Sequence, residues 1–290
     1  MQPDRYELLD ALDSAVNVIR LQQLQRLSVK GKLVTLPTEG ELIVVGDLHG
    51  DMDSLEHILA ETRFEERAME GEALYILFLG DYVDRGPGQV EVLYRLLRLL
   101  GSYPHRVVLL RGNHEGPRDV TFQPHDFPLI LRGEYGSDAL EVYREFRALC
   151  DELYVAAVVP GSILFVHGGV PTAASGLDDL AYAHAEHPAK SNLVEALWND
   201  PMNDVGVYPN PRGLGFLFGP DVAKRVLGKM GVSTLVRSHQ SCPMGYMWTG
   251  GTLTLFSCRL PDYGNRYAAY LRMPLGGDLV SDYKEYVHRF

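Results

Sequence analysis

Cysteine, basic residues and long apolar runs are all scarce in this chain of 290 residues. Its three cysteines, Cys150, Cys242 and Cys258, form no C-x-x-C pair, which argues against a disulfide framework and favours a reducing compartment. No stretch approaches the ~18 apolar residues of a membrane span, and the segment from Met1 to Asp10 lacks the apolar core of a secretion signal. We therefore expect a soluble, cytoplasmic protein without a membrane partner.

Basic side chains are outnumbered by acidic ones, with 27 Lys and Arg against 38 Asp and Glu and a net charge of −11. Such a balance argues against broad binding to nucleic acid or to an anionic membrane surface. It does not exclude a phosphorylated substrate, because bound cations and a few arginines can set the local field. Apolar residues make up 46% of the chain, which is enough for an ordinary packed core.

Strands and helices alternate in the first half of the chain. Apolar runs at Glu41–Val45, Ala73–Leu79 and Arg106–Leu110 are typical of buried strands, and Met52–Ala60 and Gln89–Leu100 have helical spacing. This alternation with short connections predicts right-handed crossovers and a parallel sheet in an α/β fold. Ligands in such sheets bind beyond the carboxyl ends of the strands.

The remaining segments have weaker patterns. Residues 6–27 have helical spacing, and 29–40 are interpreted as a linker, so we expect residues 1–40 to form a helical segment packed on one catalytic domain at 41–290. Further helices are predicted at 137–150 and 220–230, and strands at 153–159, 162–166, 234–236, 245–248, 252–256 and 267–271. Pro160-Gly161 predicts a tight turn, whereas 115–136, 173–192 and 199–219 are predicted to be irregular.

Four polar clusters each follow an apolar run, at residues 46–51, 80–86, 111–115 and 167–169. They contain Asp, His and Asn, whose oxygen and imidazole donors hold divalent metals that activate water. One Asp-x-His alone is weak evidence, but four clusters at successive predicted strand ends favour a two-metal hydrolase.

Such a centre needs a carboxylate that bridges two cations, with further protein ligands on each. Asp81 is the bridging candidate because it follows the central predicted strand, and Asp47 with His49 are candidate ligands of one cation. Asn113 follows the third strand and is a candidate ligand of the other cation, and two further candidate ligands also follow predicted strands, His167 and His239. Mixed nitrogen and oxygen ligation favours Mn, Fe, Zn or Co over Ca or a lone Mg.

Other polar residues of the clusters suit a phosphoryl group. Arg85 and Arg212 can donate bidentate hydrogen bonds to phosphoryl oxygens. His114 directly follows a candidate ligand, which suits a general acid beside the metals, and Asp84 could orient it. The alternative for Asp84 and Arg85 is a surface ion pair. The remaining histidines are interpreted as structural or solvated: His57, His105, His125, His184, His187 and His288.

The segments GDLHGD, GDYVDRG, RGNHE and HGG, in this order, resemble the PPP family of metal-dependent serine/threonine protein phosphatases, whose members include calcineurin. Residues 197–201, 211–219, 236–246 and 254–263 also resemble family motifs, so the similarity runs from about 41 to about 271. The last motif departs from the family because Arg259 and Leu260 are additional and Gly264 stands where a cysteine is common. The resemblance implies a compact, prokaryotic-type member.

The resemblance also implies a fold and roles. The fold would be two packed mixed β-sheets flanked by helices, an αββα metallophosphoesterase sandwich. Two divalent metals, manganese first and iron, zinc or cobalt otherwise, would be held by Asp47, His49, Asp81, Asn113, His167 and His239. His114 would be the acid and Asp84 its partner, whereas the phosphoryl group would contact Arg85, Arg212, Asn113 and Tyr263.

The expected reaction is hydrolysis of phosphoserine and phosphothreonine esters by in-line attack of a hydroxide that bridges the metals. Phosphorylated proteins are the expected partners, whereas nucleic acids and membranes are not. Two alternatives stay open: a dinucleoside polyphosphate hydrolase or other small-molecule or RNA-end phosphoesterase, and a non-catalytic phosphoprotein-binding module.

Overall fold

The computed structural model describes residues 2–22, 28–275 and 283–290. The helices are α1 (Arg5–Gln22), α2 (Met52–Thr62), α3 (Phe64–Met69), α4 (Gln89–Ser102), α5 (Phe127–Tyr135), α6 (Ala139–Glu152), α7 (Asp178–Ala181), α8 (Ala183–Glu186), α9 (Asn192–Trp198) and α10 (Pro220–Lys229). The strands are β1 (Ser28–Lys30), β2 (Leu33–Thr35), β3 (Glu41–Val45), β4 (Leu74–Phe78), β5 (Val107–Leu109), β6 (Ala156–Val159), β7 (Ile163–Val166), β8 (Asp200–Pro201), β9 (Val207–Pro209), β10 (Phe216–Phe218), β11 (Thr234–Arg237), β12 (Tyr246–Thr249), β13 (Thr252–Leu255), β14 (Ala269–Pro274) and β15 (Val287–Arg289).

Two large mixed sheets carry the fold. One has five strands in the order β15-β14-β3-β4-β5, in which β3, β4 and β5 are parallel and β14 is antiparallel to β3. The other has seven strands in the order β1-β2-β6-β7-β11-β13-β12, and β8, β10 and β9 form a small third sheet. The predicted fold class, two mixed sheets flanked by helices, is confirmed.

Side chains that alternate between two hydrophobic cores along a strand show how the sheets and helices pack on one another. In β7, Ile163 and Phe165 join a hydrophobic core shared with the five-stranded sheet, whereas Leu164 and Val166 join a second core with the helices on the other side. Successive side chains of a strand point to opposite faces, so the seven-stranded sheet is covered on both. Strand β3 is apolar in almost every position because both of its faces are also covered.

The N-terminal helix and the two strands after it belong to these layers. Helix α1 packs against α4 and α6 through Leu8, Leu12 and Ile19. The predicted helical segment extends to Leu24 and Leu27, which lie outside the described residues. The linker interpretation of 29–40 was wrong for part of its length, because β1 and β2 form a hairpin and β2 pairs in parallel with β6. Strands of three residues are too short to give a detectable period. The domain division at residue 40 stays a prediction.

Other local expectations differ from the structure in segments with weak patterns. The segment 115–136 contains α5, the segment 173–192 contains α7 and α8, and 199–219 contains β8, β9 and β10. These elements are short or, like β9, fully exposed, so they lack the apolar periodicity that reveals longer ones. The turn at Pro160-Gly161 is confirmed. In the described parts of the chain, no helix has both the length and the apolar character needed to cross a membrane.

Packing of α1 gives a first prediction. Leu12 is fully buried in the shared core, so Leu12→Ala should lower the free energy of unfolding by about 2–5 kcal/mol because it leaves a cavity. Urea denaturation followed by circular dichroism measures this change. Leu21→Ala is the matched control on the same helix, where the side chain is 52% exposed, and it should cost less than about 0.5 kcal/mol. Equal effects of the two variants would contradict the packing described for α1.

Candidate active site

Five strand ends from both large sheets converge on one buried cluster. Asp47, Asp81 and Asn113 follow β3, β4 and β5 of the five-stranded sheet, whereas His167 and His239 follow β7 and β11 of the seven-stranded sheet. All five side chains are at most 6% exposed. The structure therefore brings together side chains that are up to about two hundred residues apart, at the carboxyl ends of the strands.

Close approach of two loops is possible because both carry glycine. A Cβ atom on Gly80 would lie 2.3 Å from the nitrogen of Gly112, and one on Gly112 would lie 2.2 Å from the nitrogen and from Oδ1 of Asp81. No side chain fits in these spaces. The glycines of the GDYVDRG and RGNHE segments thus let the loop with Asp81 touch the loop with Asn113.

The carboxylate of Asp81 lies at the middle of the cluster. Its Oδ2 atom is 3.4 Å from His167 Nε2 and 3.6 Å from His49 Nε2, and its Oδ1 atom accepts a hydrogen bond of 3.0 Å from the backbone N–H of His114. Burial alone would raise the pKa of Asp81, but the nearby imidazoles outweigh it and hold the pKa well below its ordinary value. The carboxylate is therefore charged at neutral pH and can bind cations on either side.

Backbone carbonyls orient two of the imidazoles. His49 Nδ1 lies 3.0 Å from the oxygen of Val83, and His167 Nδ1 lies 3.0 Å from that of Leu79. A carbonyl only accepts, so Nδ1 of each ring is the donor and Nε2 faces the cluster. This is the arrangement that metal-binding histidines adopt in proteins.

Asp47 and His239 are held together across the two sheets. Asp47 Oδ1 accepts hydrogen bonds from Ser238 Oγ at 2.5 Å and from the backbone N–H of His239 at 3.0 Å. Asn113 Oδ1 lies 2.7 Å from His239 Nδ1 and 2.9 Å from His167 Nε2. Asn113 Oδ1, His239 Nδ1 and His167 Nε2 thus point to one centre.

The donor set fits divalent metal ions. Two groups of donor atoms lie within 4.8 Å of one another, His49 with Asp81 and His114, and Asp81 with His167 and His239. His239 Nδ1 and His167 Nε2 lie 3.2 Å apart and both face Asn113 Oδ1, which gives a mixed nitrogen and oxygen donor set of the kind that binds divalent metals. Burial, followed by the charge of a neighbouring histidine, lowers the pKa of His49 and His239, so both rings are neutral and can donate lone pairs.

Next to this cluster, His114 is held by a buried carboxylate. Its Nδ1 atom lies 2.6 Å from Asp84 Oδ2, and its Nε2 atom faces Asp81 Oδ2 at 3.9 Å. Burial lowers the pKa of His114, but the charges of Asp81 and Asp84 outweigh burial and raise it. Asp84 is not part of a surface ion pair, because it is fully buried and its Oδ1 atom accepts backbone hydrogen bonds of 2.8 Å from residues 126 and 127.

A second histidine that sequence reasoning assigned no function also binds Asp84. His125 Nδ1 lies 3.0 Å from Asp84 Oδ2, and His125 Nε2 lies 3.0 Å from the hydroxyl of Tyr143. Burial would raise the pKa of Asp84, but hydrogen bonds from the two histidines lower it far more. No spacing in the sequence reveals His125, because it lies in the loop before α5, which has no periodic pattern.

Two arginines line the mouth of the cluster. The guanidinium of Arg85 donates a hydrogen bond of 2.8 Å to the carbonyl of Pro124, and the Nε atom of Arg212 lies 3.4 Å from Asp200 Oδ2. Asp200 also binds the buried Arg237 at 2.7 Å, which fixes its position. Both arginines line the same cavity as Asp81 and His114, a space of about 270 Å³.

Aromatic rings form the walls of this cavity. Tyr263 stacks on His49 with ring centroids 5.6 Å apart, despite the two additional residues that precede its motif. Phe122 packs on His114 at 4.3 Å, and Trp198 packs on His239 at 5.4 Å. The candidate residues of the sequence prediction all line the cavity except Asp84 and His167, which lie beneath it.

Backbone strain is concentrated at the same place. Six non-glycine residues in the described ranges have positive φ, and five of them belong to the site: His49, Asp81, Asp84, Arg85 and His239. Such conformations cost about 1–3 kcal/mol each and persist where the surroundings over-determine them. Their concentration here supports a functional origin of the strain.

Supporting residues were less visible in the sequence. Glu115 is buried and accepts hydrogen bonds of 2.9 Å from the backbone N–H groups of Asp81 and Tyr82, and burial together with the charge of Asp81 raises its pKa to about 7. Arg111 points away from the cavity and binds Asp151 at 3.2 Å, so it is a structural residue.

The fold and the cluster together define a metal-binding hydrolase of phosphoric esters. A family model for calcineurin-like phosphoesterases matches residues 41–243, which is more than half of the chain. The chain belongs to the calcineurin-like phosphoesterase family.

Solved structures agree on the fold. A protein serine/threonine phosphatase from Saccharomyces cerevisiae with similarity to human phosphatase PP5 is 23% identical, with a TM-score of 0.78 over 99% of this chain and 89% of the other. A cold-active protein-tyrosine phosphatase of a psychrophilic Shewanella species is 15% identical, with a TM-score of 0.55 over 85% and 78%. A putative diadenosine tetraphosphatase is 18% identical, with a TM-score of 0.51 over 90% and 97%.

The central position of Asp81 gives a second prediction. Asp81→Asn removes the charge between the two donor groups, so metal content should fall to less than about half of that of the natural protein, with loss of hydrolysis. Elemental analysis after dialysis measures the first effect. Asp53→Asn, the same change at an exposed position of α2, is the control and should keep the metal. Full metal content and full activity in the Asp81 variant would refute the predicted bridging role.

Proposed function

We propose that this protein hydrolyses phosphoserine and phosphothreonine esters in proteins. The observation that carries the proposal is the pair of His114 and Asp84 beside the Asp81 cluster, because it sets a proton donor next to a site for divalent cations. A general acid is needed most when the leaving group is an alkoxide, as in serine and threonine esters.

Two divalent cations, with manganese as the first candidate and iron, zinc or cobalt as alternatives, would be held on either side of Asp81. Asp47 and His49 would complete one site, whereas Asn113, His167 and His239 would complete the other. When bound, the metal pair supplies a water acidified enough to attack phosphorus near neutral pH.

The side chains of this chain would do the rest of the chemistry. Arg85 and Arg212, at the mouth of the cavity, would bind phosphoryl oxygens and stabilise the charge that spreads over them in the transition state. Asn113 and Tyr263 would contact the same group. His114 would hold a proton at Nε2 and give it to the departing oxygen, while Asp84 keeps Nδ1 protonated and the ring in place.

Size favours a protein substrate over a dinucleotide. A cavity of about 270 Å³ lies below the roughly 300–1,000 Å³ of sites that enclose whole small molecules. It accommodates a phosphoryl group and a short ester, whereas two nucleosides would stay outside. The similarity to the yeast serine/threonine phosphatase supports the same choice, and that to a putative diadenosine tetraphosphatase supports the second candidate, a dinucleoside polyphosphate hydrolase.

A cytoplasmic location belongs to this proposal too, since the three cysteines are unpaired thiols.

A substrate panel tests the proposal. On the metal-loaded protein, kcat/KM for a phosphoserine peptide should exceed that for diadenosine tetraphosphate by roughly tenfold or more, because the small cavity leaves most of the dinucleotide unbound. A phosphotyrosine peptide in the same panel measures residue preference. The reverse order would assign the dinucleotide activity, and no hydrolysis of any ester, including 4-nitrophenyl phosphate, would favour a non-catalytic phosphoprotein-binding module.

The proposed role of His114 gives a sharper prediction. His114→Asn should lower kcat on a phosphoserine peptide by ~10²–10⁴ and lower it much less on 4-nitrophenyl phosphate, since a nitrophenolate leaves without a proton. Stopped assays of released phosphate measure both rates. Metal content should be retained, and its loss would instead make His114 a ligand in the group with His49 and Asp81. His57→Asn, at a half-exposed surface ion pair, is the matched control and should stay within about twofold.

A further inference from the structure

A second cavity of about 470 Å³ lies beside the catalytic one and shares Thr121, Phe122 and Gln123 with it. We call it the Arg147 groove, and its lining residues are Gly116, Pro117, Arg118, Val120, Thr121, Phe122, Gln123, His125, Leu140, Tyr143, Arg144 and Arg147. The groove runs between the loop after β5 and helix α6. Nothing in the proposed chemistry uses it.

The charge of the groove is opposite to that of the chain. Arg118, Arg144 and Arg147 line it without any Asp or Glu, although the chain carries a net charge of −11. Arg144 forms an exposed ion pair with its neighbour Glu145 at 2.9 Å, whereas Arg118 is exposed. A concave surface lined by one sign of charge attracts the opposite one. The groove is therefore complementary to an anion.

Arg147 supplies a second, independent observation. Its side chain is only 7% exposed, its Nη2 atom donates to the carbonyl of Gly116, and its Nε atom is buried without a hydrogen-bond partner. A buried guanidinium N–H without an acceptor is costly. A carboxylate in the groove would supply an acceptor and the opposite charge to this guanidinium.

The rest of the lining suits a polypeptide. Leu140 is 80% exposed, and the rings of Phe122 and Tyr143 are partly exposed at the same groove. Apolar side chains between arginines match an extended chain with both acidic and apolar residues better than a small inorganic anion.

The groove also begins close to the catalytic acid. Successive ring contacts lead from His114 to Phe122 at 4.3 Å, from Phe122 to His125 at 5.1 Å and from His125 to Tyr143 at 6.0 Å. An extended chain advances roughly 3.3–3.6 Å per residue. A side chain a few residues from a phosphorylated serine in the catalytic cavity would therefore reach the groove.

We propose that the Arg147 groove binds an acidic side chain of the substrate polypeptide, two to four residues from the phosphorylated one, and so determines which phosphoproteins are hydrolysed. This inference rests on the proposed function, because it names the sequence context of the same substrate. Arg118 and Arg147 are the specificity-determining residues, and the carboxylate is that of Asp or Glu in the substrate.

The test compares two phosphoserine peptides of otherwise identical sequence. One has glutamate and the other has glutamine at the second to fourth positions before and after the phosphoserine. On the metal-loaded protein, kcat/KM should be about tenfold higher for the glutamate peptide, and the ratio should fall with added salt. Arg118→Gln and Arg147→Gln should each reduce the ratio toward one while 4-nitrophenyl phosphate is hydrolysed at the natural rate. Arg98→Gln, at an exposed position of α4, is the matched control and should keep the ratio.

A binding measurement separates this inference from the proposed function. The same two peptides carrying a non-hydrolysable phosphonate in place of the phosphate, with a fluorescent label, report affinity by anisotropy whether or not turnover occurs. If the glutamate peptide binds more tightly and Arg118→Gln abolishes this difference, the proposed role of the groove is supported even if phosphopeptides are not hydrolysed. Equal affinities for both peptides, or a preference that survives both the exposed and the buried arginine substitution, would overturn it.

Discussion

Burial of one carboxylate, that of Asp81, determines how the rest of the site is built. A charged group that is only 2% exposed is costly unless charges and hydrogen bonds compensate it. Here the compensation comes from imidazoles on three other loops and from the backbone N–H of His114. Because these partners follow strands of different sheets, the buried charge of the carboxylate is compensated only when both sheets are assembled. Its position thus couples the fold to the chemistry.

Convergence of so many loops requires unusual backbone. The chain turns sharply at Asp81 and His239, both with positive φ, and passes through the close contact of Gly80 with Gly112. Such turns direct the side chains inward to one point, which an unstrained strand end would not do. Ser238 adds a direct bond between the sheets, from its hydroxyl to Asp47. The strain is therefore maintained by the same contacts that hold the donor atoms in place.

Sequence patterns correctly predicted those segments in which the apolar pattern along the chain matches the burial of the residues in the fold. Strand β3 has the predicted limits because a five-residue apolar run ends at a glycine, and Asp81 could be singled out because it follows such a run. Strand β9 could not be predicted, since its residues are exposed and leave no period. His125 was missed for a different reason. Its contact with Asp84 depends on how a loop without periodic structure folds back over the site, which only tertiary structure determines.

An acidic protein that acts on an anionic substrate needs a positive electrostatic potential at its site, although its net charge is negative. Charges on the surface are screened over about 8 Å at physiological ionic strength, so the net charge of −11 weakly affects a phosphate already at the cavity. Arg85 and Arg212 lie at the mouth of the cavity, and Arg118 and Arg147 line the neighbouring groove. In the proposed function, the arginines of the mouth would bind any phosphoryl group, whereas those of the groove would bind only the polypeptide that carries it. Affinity for the phosphoryl group and selection among phosphorylated polypeptides would therefore reside in separate residues of the same surface.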